Sequence, residues 1–384
     1  MLAVQGLFAA VPDPRAANAR HRLDEVLLVA LAATLCGAQT CVDIATFARA
    51  KLPLLRRFVR LAHGAPSHDT FSRLFQALDP LAFEAAFRAF MAAFAKALDQ
   101  AAQDQAAQDE PDGTGRPRIV ALDGKSLRGA IQSAGRSTPL HLVTAWAAEQ
   151  RLVLAQRHAR NRSEVTAARE VIALLDLRDA VVTPDALHGN RATAAAILER
   201  GGAYALILKG NRGPLHAAAQ ALLGEADAET AVRTSHTAHG RYEERRAWVR
   251  AVPGWAERYG FAGLCAIARV DGLRRSTHVD APAEAEPPQT RYVALSQRLD
   301  PAEVLRVVRA HWSIENHQHW LLDVAFREDA ILTRNAVTAQ NLALLRRLAL
   351  GLIRQDATKG SLHTKRQLAG WNDDYLADLI SQMR

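Results

Sequence analysis

From Arg118 to Asn211 the chain reads as strand, strand, strand, helix, strand, helix, strand, and few folds accept that order. "RIVALDGK" is a short apolar strand ending in a charged turn, and "LHLVTAWA" and "RLVLAQR" follow at hairpin-like spacing. "SEVTAAREVIALLDL" has helical spacing with Ser163 as N-cap. "AVVTPDA" is a strand, "NRATAAAILERGG" a helix closed by Gly201 and Gly202, and "YALILKGN" another strand. Three strands in a meander, then two joined through helices, call for a mixed sheet covered by helices.

The flanks read differently. Residues 1–98 are expected to be almost wholly helical: one helix with Asp24 as N-cap and Gly37 as its stop, another capped by Ser67 or Asp69, and a break at Asp79-Pro80. A helix with Phe83, Phe87, Phe90 and Phe94 in the core follows. "DQAAQDQAAQDEPDGTGRP" is polar and low in complexity, which marks residues 99–117 as a linker or a frayed helix end, and so as the domain boundary. The organisation expected is a small all-α N-terminal domain over 1–98, the linker, and an α/β domain over 118–384. An irregular insertion at about 211–299 carries strand-like pieces at "RAWVRAV", "GLCAIARV" and "RYVALSQ". Asp300 as N-cap and Pro301 at the first helical position then open a long helix, and "NAVTAQNLALLRRLALGLIR" is another.

That long helix poses a chemical question. Leu305, Val308, Trp312, Glu315, His319, Leu322 and Phe326 recur at spacings of three and four, so Glu315 falls within an apolar stripe. A buried carboxylate is expensive unless paired, hydrogen-bonded or bound to a metal. Asp123 and Asp185 each end an otherwise apolar strand. If the helix crosses that sheet edge, three carboxylates meet, and such hard oxygen ligands suit Mg²⁺ or Mn²⁺, two ions included. Other assignments use the same residues. Asp123 before Gly124 fits a turn, Asp185 fits a helix cap, and His311 or His319 one turn away would neutralise Glu315. His311, Glu315 and His319 would also chelate zinc from one helix face. Trp312 and Trp320 read as core, with stacking on an unpaired base as the alternative.

Bulk properties set outer limits. The 384 residues leave room for two domains, and a 49% hydrophobic and 23% charged composition argues for a packed core. A net charge of +8 fits a polyanionic partner. Cys36, Cys41 and Cys265 form no metal-ligand array and read as buried thiols of a reducing compartment. The apolar run Val26–Ala38 is too short to span a membrane, and no signal peptide is evident, so a cytoplasmic protein without membrane association is expected.

The segments "LDGKSLRGA", "TPDALHGN", "ALILKGN", "HGRYEERRAW" and "HWSIENHQHWLLDVAFREDA" resemble those of bacterial insertion-sequence transposases of the ISAs type, a group that includes the H-repeat-associated proteins. "LCGAQTCVDIATFA", "PSHDTFSRLFQALDP" and "KGSLHTKRQLAGWNDDYL" resemble its N-terminal domain and tail, so the likeness spans nearly the whole chain. It implies an RNase H-like fold and makes Asp123, Asp185 and Glu315 the metal-binding catalytic triad of a DDE enzyme. The implied reaction is phosphodiester hydrolysis at the element ends, then attack of the freed 3′-hydroxyl on target DNA, with Mg²⁺ or Mn²⁺ as cofactor. Double-stranded DNA is the implied partner, with a homodimer assembling on it in a bacterial cytoplasm, at the nucleoid when DNA-bound. Lys125, Arg128, Lys209, Arg212, Arg241 and Arg245 lie in or near these motifs and are candidates for phosphate contacts. Lys51, Arg56, Arg57 and Arg60 form a further basic group on the N-terminal part. This chain departs from the pattern at three places: Asn190 is the nearest amide after Asp185, and His311 and Leu322 stand where the wider superfamily has an Arg and a Lys. The rival functions are a domesticated or degenerate nuclease-like relative and a non-catalytic DNA-binding protein. Asp323 is the alternative third acid, with Glu328 and Asp329 close by.

Overall fold

The computed structural model describes residues 4–109, 116–131, 139–160, 163–209, 213–225, 231–238, 241–276, 289–330 and 332–381. Among them the helical start comprises α1 (Val4–Ala9), α2 (Leu23–Leu35), α3 (Cys41–Ala50), α4 (Leu52–Leu55), α5 (His68–Ala77) and α6 (Pro80–Asp109). Ser67 caps α5 as expected, whereas α2 begins after Arg22, with Asp24 in its first turn paired to that arginine. Of the two expectations for the polar stretch from residue 99, linker or helix end, its first part is helix: α6 continues to Asp109, because its alanines and glutamines are good helix formers.

The α/β part contains β1 (Arg118–Ile131), β2 (Pro139–Ala147), β3 (Leu152–His158), α7 (Glu164–Ala173), β4 (Ala180–Pro184), α8 (Arg191–Glu199) and β5 (Ala203–Leu208). α9 (Gly213–Leu223), β6 (Val232–Ala238), β7 (Arg241–Ala251), α10 (Trp255–Tyr259), β8 (Ala266–Ser276) and β9 (Gln289–Leu295) make up the insertion. One nine-stranded sheet orders them β3-β2-β1-β4-β5-β9-β8-β7-β6. β1 pairs antiparallel with β2 and parallel with β4, and β4 parallel with β5. The insertion is therefore an extension of the central sheet, attached when β9 adds antiparallel to β5.

Alternation along β1 sorts its neighbours. Val120 and Leu122 pack with the apolar sides of α7, α8 and α9 on one face. Ile119 packs with Val304, Leu305, Val307 and Val308 of α11 (Pro301–Ile314) on the other. On that second face Ala121 and Trp146 join a large core shared by the N-terminal helices and by α13 (Ala336–Gln355), α14 (Leu362–Trp371) and α15 (Asp373–Ser381). The helices of residues 4–109 thus share their core with the C-terminal helices. α13 is long and apolar enough to cross a membrane, and most of it is buried at the centre of this core. Lys51 and Arg57 of the N-terminal basic group face Asp373 and Asp374 of α15.

After α11 the helix changes pitch. Residues Glu315–His319 form a π turn, with Trp320 N–H bonded to Glu315 O five residues back, before α12 (Trp320–Val324). The widened turn moves the buried row to Ile314, Gln318 and Leu322 and leaves Glu315 exposed at its rim. The buried carboxylate expected from α-helical spacing is thus corrected by one extra residue per turn. Trp320 is 57% exposed for the same reason.

Candidate active site

The parallel β1–β4 ladder ends at Leu122 opposite Pro184, and each strand delivers an aspartate at the next position. Asp185 N–H donates to Leu122 O at 3.2 Å, which sets Asp123 and Asp185 side by side. Alternation turns Asp123 towards the face of α11, where His319 Nδ1 of the π turn lies 3.4 Å from Asp123 Oδ2. The neighbouring strand end is tied to the same helix, because His311 Nδ1–H donates to Thr183 O at 2.9 Å.

Burial and charge together set the protonation of these acids. Burial pushes Asp123 up to about 7, the Gly124 N–H opposes this, and the charges of Asp185, Glu315 and Glu164 raise it further. Glu315 is raised by burial and then by Asp185. His319 is driven down to about 3, first by burial and then by Arg347, Lys125 and His141, so it stays neutral beside Asp123. Neither histidine forms an ion pair with Glu315: His311 is spent on β4 and His319 on Asp123. As placed, no three His, Cys, Asp or Glu side chains among the described residues stand close enough together to hold a metal ion, the His311–Glu315–His319 zinc arrangement included.

The other acids near Glu315 are already engaged. Lys125 Nζ holds Asp323 at 2.7 Å and Asp329 at 3.3 Å, and Glu328 pairs with Arg347 at 2.9 Å. Lys125, one of the candidates for a phosphate contact, is buried with its Nζ engaged by these two carboxylates. Arg128 is exposed beside Asp329, and Lys209 is exposed at the end of β5. Arg212 lies outside the described residues, as does the side chain of Arg241. Arg245 lines a cleft of about 1180 Å³ between α11 and β7–β9, and so does Glu315.

Sequence reasoning missed two other arginines of that cleft, Arg274 and Arg291. Arg291 stacks over Trp312 at 5.1 Å, and its proton affinity is lowered by burial and then by Arg245 and Arg274. These charges lie on three neighbouring strands, and no periodic signal in "RYVALSQ" announces such a convergence. Glu164 was missed as well, although it directly follows the expected N-cap Ser163.

Comparison with known proteins places these features in context. Residues 114–352 match the model described as "Transposase DDE domain", and residues 6–91 that described as "DDE_Tnp_1-associated". An "Uncharacterized protein in dhlA 3'region" of Xanthobacter autotrophicus is 39% identical over 276 residues, covering 70% of this chain and 87% of that protein. The "Putative transposase YncI" of Escherichia coli O157:H7 is 29% identical, covering 99% and 95%. The "H repeat-associated putative transposase YhhI" of Escherichia coli K12 is 28% identical, covering 97% and 96%. Its sheet, its paired strand-end aspartates and a domain match over most of its length agree: the chain belongs to the DDE-domain transposase family.

Proposed function

We infer that this protein is an insertion-sequence transposase in which Asp123, Asp185 and Glu315 form the catalytic, metal-holding acids. One observation carries the assignment of residues: β1 and β4 deliver Asp123 and Asp185 side by side, tied by the Asp185 N–H to Leu122 O bond at 3.2 Å, and the charges of both Asp185 and Glu315 add to burial in raising Asp123. The neighbouring acids Asp323, Asp329 and Glu328 are neutralised by Lys125 and Arg347, while Glu315 makes no ion pair with any described residue. The strand order β3-β2-β1-β4-β5 and its pattern of parallel and antiparallel pairs support an RNase H-like core.

A set of hard oxygen donors with uncompensated negative charge fits Mg²⁺ or Mn²⁺, in one or two ions. Bound there, the ions would supply Lewis-acid activation of water and of the 3′-hydroxyl and stabilise the leaving oxygen. Asp123, Asp185 and Glu315 would hold the ions through their carboxylate oxygens. His319 would keep Asp123 oriented through Nδ1. No serine or tyrosine nucleophile is required. The duplex would lie along the cleft that Glu315 shares with Arg245, Arg274 and Arg291, where phosphates meet guanidinium groups and Trp312 offers an aromatic face. The helices of residues 1–98 would serve as an end-binding domain docked on the catalytic core, and pairing of two element ends calls for a dimer on DNA.

The test is cleavage of a labelled duplex carrying the inverted repeat that borders the gene, with Mg²⁺, Mn²⁺, Ca²⁺ or EDTA. Cleavage is expected with Mg²⁺ or Mn²⁺ alone. Glu315→Gln should lower it by roughly 10⁴-fold, as for a residue acting within a catalytic unit, while duplex binding persists. Undiminished cleavage by Glu315→Gln would transfer the role to Asp323. Binding without cleavage under every metal would identify a degenerate relative.

A further inference from the structure

Asp123 and Asp185 stand on different elements, so the turn after β4 must be held against β1 and β2. Glu164, the first residue of α7, lies on the opposite side of the sheet from His319. Its Oε1 is 2.8 Å from His141 Nε2 on β2, and its Oε2 is 3.6 Å from His188 Nε2. His188 is 1% exposed and belongs to the turn leaving Asp185, where its backbone N–H donates to Asp185 O at 2.8 Å. On its far side His141 Nδ1 meets Ser126 Oγ of β1 at 2.9 Å. Gly124 makes room for this assembly: a Cβ there would collide with His141 Nε2 and stand 3.3 Å from Glu164 Oε2.

The rest of the interface between α7 and the sheet is apolar, built from Ala167, Ala168, Val171 and Ile172. A carboxylate and two imidazoles are costly to desolvate, and apolar side chains of similar volume would stabilise that interface at least as well. The polar group instead occurs only at the end of α7 that reaches the two aspartates, behind the glycine that follows the first of them. Stability alone does not account for that location.

We propose that Glu164 is a positioning residue of the reaction: packed between His141 on β2, at 2.8 Å, and His188 in the turn after β4, at 3.6 Å, it fixes Asp185 relative to Asp123. It thereby sets the spacing of the carboxylates that would receive the metal. This rests on the assignment of Asp123, Asp185 and Glu315 given above. Groups that orient metal ligands from behind typically change metal affinity or activity by about 10–100-fold when removed.

The experiment compares full-length wild type, Glu164→Gln and Glu164→Ala in three measurements. These are the cleavage rate on the bordering-repeat duplex, the affinity for that duplex, and Mn²⁺ binding without DNA, followed by electron paramagnetic resonance. Glu164→Gln should lose about tenfold and Glu164→Ala about 100-fold in cleavage rate, with weaker Mn²⁺ binding and unchanged duplex affinity and melting temperature. Wild-type Mn²⁺ binding and cleavage in Glu164→Ala would overturn the proposal. So would parallel losses of melting temperature, duplex affinity and rate in Glu164→Ala with Glu164→Gln indifferent, since that pattern describes a fold-stabilising pair. Failure of the underlying assignment has a different signature: Glu315→Gln would then retain cleavage, or wild type would bind no Mn²⁺.

Discussion

Two groups of charged residues in this protein solve the same electrostatic problem in opposite ways. Glu328 is fully buried, with Arg347 at 2.9 Å and Arg346 at 4.0 Å, so the cluster supplies its own counter-charges. Across the π turn, burial sets Asp123 first, and the charges that act on it are those of Asp185, Glu315 and Glu164, all acidic. Both clusters are acidic residues near the same helix, and sequence position hardly distinguishes Glu315 from Glu328. The difference is closure. A closed cluster holds α13 to the short helix at Glu328–Ala330, whereas an open one keeps a negative site available to something from outside. Lys125 repeats the closed solution with Asp323 and Asp329, and so separates the engaged acids from the free ones.

The sharpest way to break the comparison is to open the closed cluster. Glu328→Gln leaves Arg346 and Arg347 buried without a counter-ion, and Arg346 is already pulled down to about 10 by burial. Breaking a buried pair from one side costs about 3–5 kcal/mol, so a large fall in the denaturant midpoint is expected. Duplex cleavage by the remaining folded protein should be nearly unchanged. A variant of wild-type stability would show that the cluster is not closed in solution.

How much of this was legible beforehand follows from what each element hides. β1 to β5 are flanked by helices and carry nearly continuous apolar runs, the pattern of strands buried on both faces, so their order could be read directly. β6 is an edge strand with Val232–Thr237 all exposed, and its alternation buries nothing that a sequence pattern could register. Asp123 and Asp185 were legible because a polar residue ending an apolar strand stands out. Glu315 is placed differently from its expectation: α-helical spacing put it in the buried stripe, and a π turn, which leaves no periodic trace in sequence, exposes it at the rim. The pairing of Lys125 was not legible because its partners Asp323 and Asp329 are about 200 residues away, a distance that no local motif encodes. The helical start was read correctly as helix but not as part of a shared core, since hydrophobic patterning shows which face is buried and not against what.

A smaller effect comes from relieving the open cluster. Asp123 has a pKa of about 7 in the fold against 3.8 as a free group, so the folded state keeps a proton that the unfolded chain surrenders between those values. The corresponding stability is fully present below about pH 4 and is lost as pH rises towards 7. Buried histidines such as His311 and His319 have lowered values and act in the opposite sense, losing stability as pH falls below their unfolded range. Asp123→Asn isolates the aspartate from them. In EDTA, wild type and variant should be nearly alike at about pH 4, with the variant more stable by about 2–4 kcal/mol at about pH 8. Mg²⁺ should narrow or reverse that gap for wild type alone. A gap independent of pH and metal would mean that the three acids do not share one field.

The comparison extends to positive charge, where the expected effect is smallest. Arg346 and Arg347 have Glu328, whereas Arg291 is depressed by burial and by its neighbours Arg245 and Arg274 on adjoining strands. Glu243 answers part of that charge, pairing with Arg245 at 2.7 Å and Arg274 at 3.1 Å, and Arg291 rests on the Trp312 ring. An excess of guanidinium groups beside Glu315 is the open counterpart of the acidic site, suited to a polyanion that carries its phosphates past the carboxylates. Arg291→Ala should weaken duplex affinity about equally across sequences and reduce the slope of log affinity against log salt by about 1, leaving the metal requirement of cleavage unchanged. An unaltered salt slope would move the duplex out of this cleft. The open acids would then take their substrate from the side of Arg128 and Lys209, two exposed basic residues near the carboxyl ends of β1 and β5.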